Sequence, residues 1–142
     1  MPVRKAEATW EGSLREGKGT MKLGSGAWDG PYSFGTRFEE DPGTNPEELV
    51  GAALAGCFSM AFSADLGRAG YTPSRVHTTA EVHFSKTDAG FRVTRIGLDM
   101  QATVPGIAED EFQQVAEGAK KGCPISNLFT GAEITLKASL VK

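Results

Sequence analysis

The sequence predicts an α+β fold, and three observations carry that prediction. The first third alternates apolar and polar residues with the period of a strand. A long, nearly uninterrupted apolar run follows. The remainder reads strand, strand, helix, helix, strand, which is not the strict βαβα order of a doubly wound sheet. At 142 residues one domain spanning 1–142 is expected, large enough to bury a core without disulfide staples.

Taken in order, Ala6, Ala8 and Trp10 fall on one strand face, with Lys5, Glu7, Thr9 and Glu11 opposite. Met21 and Leu23 alternate with Thr20 and Lys22, and Tyr32, Phe34 and Thr36 continue the pattern after Gly24, Gly26 and Gly30. These segments predict an antiparallel meander. Asn45 or Thr44 can then cap a helix, with Pro46 at its first position and Glu47 and Glu48 in the first turn. That helix should run to about Gly67 or Ala69. It is apolar nearly all round and so is expected to be buried. Gly51, Ala55, Ser59, Ser63 and Gly67 recur every four residues. Such a ridge admits close packing by a helix of this chain or of a second copy.

Strands return after Pro73. Val76, Thr78, Ala80, Val82 and Phe84 share a face, with His77, Thr79, Glu81 and His83 on the other. Phe91 to Thr103 reads as a further strand whose apolar phase slips between Val93 and Ile96, the mark of a bulge. Phe112, Val115, Ala116 and Ala119 define an amphipathic helix, acidic at its start and basic at its end, stopping at Gly122. Cys123-Pro124 opens a short helix, and Ile134, Leu136, Ala138 and Leu140 mark the last strand.

Composition narrows the function. Fifteen basic and 18 acidic residues give a net charge of −3, which argues against nucleic acid as a partner. The longest apolar stretch, Leu49 to Ala64, is sixteen residues long, short of the roughly 20 that span a membrane. The N-terminus carries charge without an apolar run, so no secretory signal is expected. Cytoplasm is the expected compartment. Gly12-xxxx-Gly17-Lys18 approaches a phosphate-binding loop, but Gly19 stands where the metal-binding Ser or Thr belongs. His77 and His83 lie about 20 Å apart along a strand and cannot share a metal there.

Two cysteines, Cys57 and Cys123, are too few for a disulfide scaffold or a four-cysteine zinc site. Cys57 sits mid-helix, where a free cysteine commonly serves as a small hydrophobe. Cys123, at a helix N-cap, would face unsatisfied amides and the positive end of the dipole, which favours thiolate over thiol. Together the two can cycle between dithiol and disulfide. A deep reactive thiol needs a cation nearby, since burial alone leaves sulfur protonated and inert. Arg37, in Thr36-Arg37-Phe38, is the candidate, with Glu47 or Glu48 to hold it. From pattern alone the plainer reading of Arg37 is a surface charge balanced by Glu39, Glu40 and Asp41.

The stretch from Thr44 to Met60 (TNPEELVGAALAGCFSM), with Val104-Pro-Gly-Ile107 and Gly122-Cys-Pro-Ile-Ser-Asn127, resembles the OsmC/Ohr family of thiol peroxidases. Trp10-Glu-Gly and Thr36-Arg37-Phe38 fit as well, so the resemblance covers essentially the whole chain. Glu-Glu-Leu-Val-Gly and Cys-Pro-Ile-Ser are closer to the osmotically inducible protein C branch than to the organic hydroperoxide resistance branch. The resemblance implies antiparallel sheets packed around a long buried central helix in an intertwined homodimer. It implies that Cys57 is the peroxidatic cysteine and Cys123 the resolving one. Arg37 would activate the thiolate, and Glu47 would orient Arg37, with Glu48 the less favoured neighbour. The implied reaction is reduction of organic hydroperoxides through a Cys57 sulfenic acid and a Cys57–Cys123 disulfide. A dithiol reductant, such as a lipoylated protein, would restore the thiols in a stress-defence role. No cofactor and no metal are expected. Phe58, Met60 and Phe62 could line a site for the organic tail, or belong to the core. Ten helical residues separate Glu47 from Cys57, about 15 Å of rise, so a site completed between two copies is expected. The alternative is a non-enzymatic, redox-responsive or small-molecule-binding stress protein. A general thiol–disulfide oxidoreductase is weakened by the lack of C-x-x-C.

Overall fold

A computed structural model describes residues 2–142. The chain divides into two compact units, Met1–Leu49 and Val50–Lys142.

In the first unit the alternating segments form the expected meander, with β1 (Ala6–Glu11), β2 (Lys18–Leu23) and β3 (Asp29–Tyr32) antiparallel in that order. Gly12 to Gly17 make the connection between β1 and β2, and a strand follows where a phosphate loop would need a helix. Gly19 on β2 leaves room for two rings. A Cβ there would lie 2.5 Å from Tyr32 and 2.6 Å from Trp10, whose centroids are 5.5 Å apart. The alternation misled in one place. The third strand ends at Tyr32, and Phe34–Phe38 form a short helix, α1. Ser33 and Thr36 close a capping box: the Thr36 amide donates to Ser33 Oγ at 3.2 Å, and the Ser33 amide to Thr36 Oγ1 at 2.9 Å. That reciprocal pair outweighs the strand-like spacing.

The apolar run forms α2 (Pro46–Arg68). Asn45 caps it, accepting from the Glu48 amide at 2.8 Å. From residue 50 onward α2 belongs to the second unit, where β4 (Arg75–Thr87), β5 (Gly90–Thr103) and β6 (Glu133–Leu140) form a sheet in that order. Between β5 and β6 lie α3 (Glu109–Gly122) and α4 (Pro124–Leu128). The predicted bulge is present: His83 pairs with Arg95 and Phe84 with Val93, leaving Thr94 over. One expectation is corrected. β5 and β6 pair in parallel, so the sheet is mixed. The α3–α4 segment supplies the long crossover that a parallel pair requires.

The core of the second unit is built on a stripe of α2. Leu54, Phe58, Phe62 and Leu66 are fully buried, as are Met100 of β5 and Phe112 of α3. Phe112 meets Phe62 edge-on at 5.4 Å. Burying each such side chain contributes about 1.5–3 kcal/mol. Gly51 lets α2 approach β4; a Cβ there would press on Val82 at 3.2 Å. The ridge therefore meets the chain's own sheet at its N-terminal end. Full burial of α2 is not reached. Ala52, Ala53, Gly56 and Ala64 are exposed, and Met60 is 75% exposed. Apolar composition identifies a surface that avoids water, and one chain covers only one side of it. At 23 residues α2 is long and apolar enough, by length and composition, to cross a membrane; its buried stripe packs into the core of its own unit.

Candidate functional site

Two pairs of the expected residues meet, each within one unit. The first is the thiol pair. Cys57 lies on α2 between the turns anchored by Leu54 and Phe58, and it packs against the core while remaining partly exposed. Ser59 fixes this stretch: its hydroxyl donates to the Ala55 carbonyl at 2.8 Å and shares a 2.7 Å hydrogen bond with Thr78 of β4. Cys123 sits at the junction of α3 and α4, with Pro124 at the first position of α4 as expected. It is fully buried. Both cysteines are free thiols, and Cys123 Sγ donates to Cys57 Sγ at 3.0 Å.

This geometry reverses the depth expected for the pair and moves Cys123 away from the thiolate expected of it. The deeper sulfur is Cys123, and its pKa is raised, first by burial and then by its hydrogen bond to Cys57. The Ser126 and Ile125 amides act the other way, but Cys123 closes no side-chain capping bond. The helix start does favour thiolate; desolvation and the neighbouring sulfur outweigh it. Burial and the neighbouring sulfur thus favour the protonated form of Cys123.

The second pair is ionic. Arg37, in the last turn of α1, donates from Nη2 to Glu47 Oε1 at 2.7 Å and from Nε to the same oxygen at 3.1 Å. Its guanidinium carbon lies 5.2 Å from the centre of the Phe38 ring. The Arg37 side chain is 36% exposed and that of Glu47 only 13%. Arg37 therefore faces a carboxylate on α2. Of the two glutamates, Glu47 meets Arg37, while Glu48 accepts from the Thr44 hydroxyl at 2.8 Å.

The tail-lining residues are corrected. Phe58 and Phe62 are sealed in the core and Met60 is exposed, so these three do not enclose a site. Sequence reasoning missed a different cavity of about 430 Å³ in the first unit, lined by Trp10, Leu14, Tyr32, Phe34, Arg37 and Phe38. The aromatic content of β1, β3 and α1 was its only sequence signal. His83 lies 2.9 Å from Arg95 across the strands. Among the described residues no group of three His, Cys, Asp or Glu side chains could hold a metal.

Comparison with known proteins points one way. The family model for OsmC-like protein matches residues 39–139. Peroxiredoxin OsmC of Escherichia coli (strain K12) is 51% identical over 138 residues, 96% of each chain. An organic hydroperoxide resistance protein of Xanthomonas axonopodis pv. citri is 31% identical over 96 residues, 66% of each. In fold, an OsmC-like protein of unknown function from Vibrio cholerae aligns with a TM-score of 0.78 at 20% identity, covering 97% of this chain and 99% of the other.

Proposed function

The chain belongs to the OsmC-like family and is a thiol-dependent peroxidase, and we propose that it reduces organic hydroperoxides to alcohols through Cys57 and Cys123. The observation that carries this reading is the 3.0 Å approach of two free sulfurs. Cys57 is the attacking thiolate: it is the sulfur that solvent reaches, and it receives the hydrogen bond of Cys123. Attack on the distal peroxide oxygen breaks the O–O bond. Cys57 becomes a sulfenic acid, and the departing alkoxide takes a proton to become the alcohol. The Cys123 sulfur then attacks the sulfenic sulfur, water leaves, and a Cys57–Cys123 disulfide forms. A dithiol reductant, of lipoyl type in this reading, returns two electrons by exchange.

Arg37 supplies positive charge to the attacking sulfur and to the oxygen on which charge develops. Its two donors on Glu47, Nη2 to Oε1 and Nε to both carboxylate oxygens, hold the planar guanidinium in one orientation. The aromatic cavity, which Arg37 also lines, is the proposed seat of the organic group. Bulky apolar hydroperoxides are then preferred over hydrogen peroxide, and stopped-flow oxidation with both gives unequal rates. A homodimer is proposed as the working unit. The exposed apolar face of α2 supports it, as does the absence of any buried apolar side chain among the described residues of the first unit. In such a dimer, Arg37 and Glu47 of one copy serve Cys57 of the other. Mixing Cys57→Ser chains with Glu47→Ala chains then restores activity; heterodimers that stay inactive exclude a shared site. Cycling thiols suit the reducing cytoplasm, the proposed location.

Mass spectrometry after one equivalent of organic hydroperoxide tests the central claim. Loss of two hydrogens mapped to Cys57 and Cys123 is expected. Stable over-oxidation of Cys57 alone removes Cys123 from the cycle. No peroxide consumption at all, with reversible oxidation by other means, favours a redox-responsive protein without catalytic turnover.

A further inference from the structure

We propose that Asn45 is a positioning residue for the Arg37–Glu47 pair, acting by clamping the start of α2 to the end of α1. Its importance for catalysis rests on the function proposed above for that pair. The two halves of its amide are used differently. Oδ1 accepts from the Glu48 amide at 2.8 Å, and Nδ2 donates to the Thr36 carbonyl at 3.0 Å. Only one orientation of the amide allows both, because the helix amide must find an acceptor and the carbonyl a donor.

Both bonds fall next to the pair. Thr36 precedes Arg37, and Glu47 lies between Asn45 and Glu48. Arg37 and Glu47 are ten residues apart on separate helices, so their geometry depends on how the last turn of α1 meets the first turn of α2. Asn45 spans that junction directly. On the α1 side its anchor is itself fixed, since Thr36 is locked to Ser33 by the capping box. An ion pair with Arg37 36% exposed adds little to holding two helices together, because screening and side-chain entropy offset the attraction. The ion pair orients the guanidinium on Glu47; the clamp fixes where the helix carrying Glu47 meets the helix carrying Arg37. An N-cap by itself needs only an acceptor; the donor to Thr36 is the part that capping leaves unexplained.

Asn45→Asp separates the two functions. Aspartate caps a helix as well as asparagine does, but it offers the Thr36 carbonyl no hydrogen bond. Asn45→Ser is the second variant, retaining a cap acceptor on a shorter, uncharged side chain. Thr44→Ala, which removes only the bond to Glu48, is the control. In both Asn45 variants the rate of Cys57 oxidation by cumene hydroperoxide is expected to fall about tenfold, with melting temperature close to wild type. In an Arg37→Ala background the same changes should have less than a twofold further effect. Equal losses in both backgrounds, or no loss in either variant, overturn the proposal. Nitrogen-15 NMR of the Arg37 Nε–H gives a readout independent of peroxidase activity. Faster hydrogen exchange in both Asn45 variants, but not in Thr44→Ala, is expected. An unchanged signal overturns the clamp while leaving the peroxidase reading intact. A wild-type protein without peroxidase activity overturns that reading, and the NMR comparison still decides the clamp.

Discussion

The thiol pair and the ion pair sit in regions built on opposite principles. Among the described residues, the unit that holds Cys57 and Cys123 contains all fourteen buried apolar ones, Cys123 included. Among the described residues, the unit that holds Arg37 and Glu47 contributes none. It relies on a meander, a capping box and side-chain amide bonds. The difference suits the roles proposed for the two pairs. Two sulfurs that exchange a covalent bond must return to one separation, and a close-packed core holds them there. A guanidinium that meets a reacting peroxide must stay hydrated enough to remain useful while keeping its orientation. Hydrogen bonds give direction at lower desolvation cost.

The contrast can be broken by experiment, beginning with the largest effect. Cys57→Ser should lower hydroperoxide consumption to the uncatalysed background with little change in melting temperature; retained turnover would move the chemistry to another residue. Next, Phe62→Ala should destabilise the fold by about 3–5 kcal/mol, as large-to-small core changes do. Trp10→Ala, at a half-buried ring in the first unit, should cost about 1 kcal/mol. Equal losses in chemical denaturation would erase the distinction between the units. Arg37→Lys should then slow Cys57 oxidation about a hundredfold, since a lysine cannot reproduce the forked contact with Glu47. Wild-type rates in stopped-flow would show that charge alone suffices.

The smallest effect is on pH dependence. The Cys123 pKa is raised by burial and by Cys57, so folding favours its protonated form. The stability this gives is fully present below the unfolded thiol value and is lost as pH rises through the folded one. The melting temperature of the reduced protein should therefore fall on the alkaline side, and Cys123→Ala should flatten part of that fall. Tyr71, whose pKa is raised chiefly by its 2.6 Å hydrogen bond to Glu111, contributes in the same direction at higher pH. A decline of equal slope in Cys123→Ala would assign the effect to Tyr71 or to other groups.

Local chemistry was legible in the sequence wherever neighbours in the chain decide it. Pro46 and Pro124 open helices where expected, Asn45 caps, and the slip between Val93 and Ile96 is the bulge at Thr94. The failures are cases where distant chain decides. Tyr32, Phe34 and Thr36 have strand spacing, yet the Ser33–Thr36 bonds turn the chain. Nothing along β5 or β6 says that they lie parallel. Cys123 has the local surroundings of a thiolate, and only the fold reveals that it is buried against Cys57. The resemblance supplied the residue roles, but not the reason Glu47 rather than Glu48 meets Arg37. In the fold Glu47 turns to Arg37 and Glu48 to the Thr44 hydroxyl.

Because β5 and β6 run parallel, the chain must cross over between them, and Cys123 is carried on that crossover. The two sulfurs thus lie 66 residues apart in sequence. During synthesis, at about 5–20 residues per second, Cys57 leaves the ribosome roughly 3–13 s before Cys123. In the proposed cycle, a nascent chain in that interval carries its attacking cysteine with no resolving partner. Oxidant that reaches it can drive the sulfur past sulfenic acid to forms that exchange cannot repair. Under the oxidising conditions that call for this protein, newly made copies are most vulnerable just before they become active.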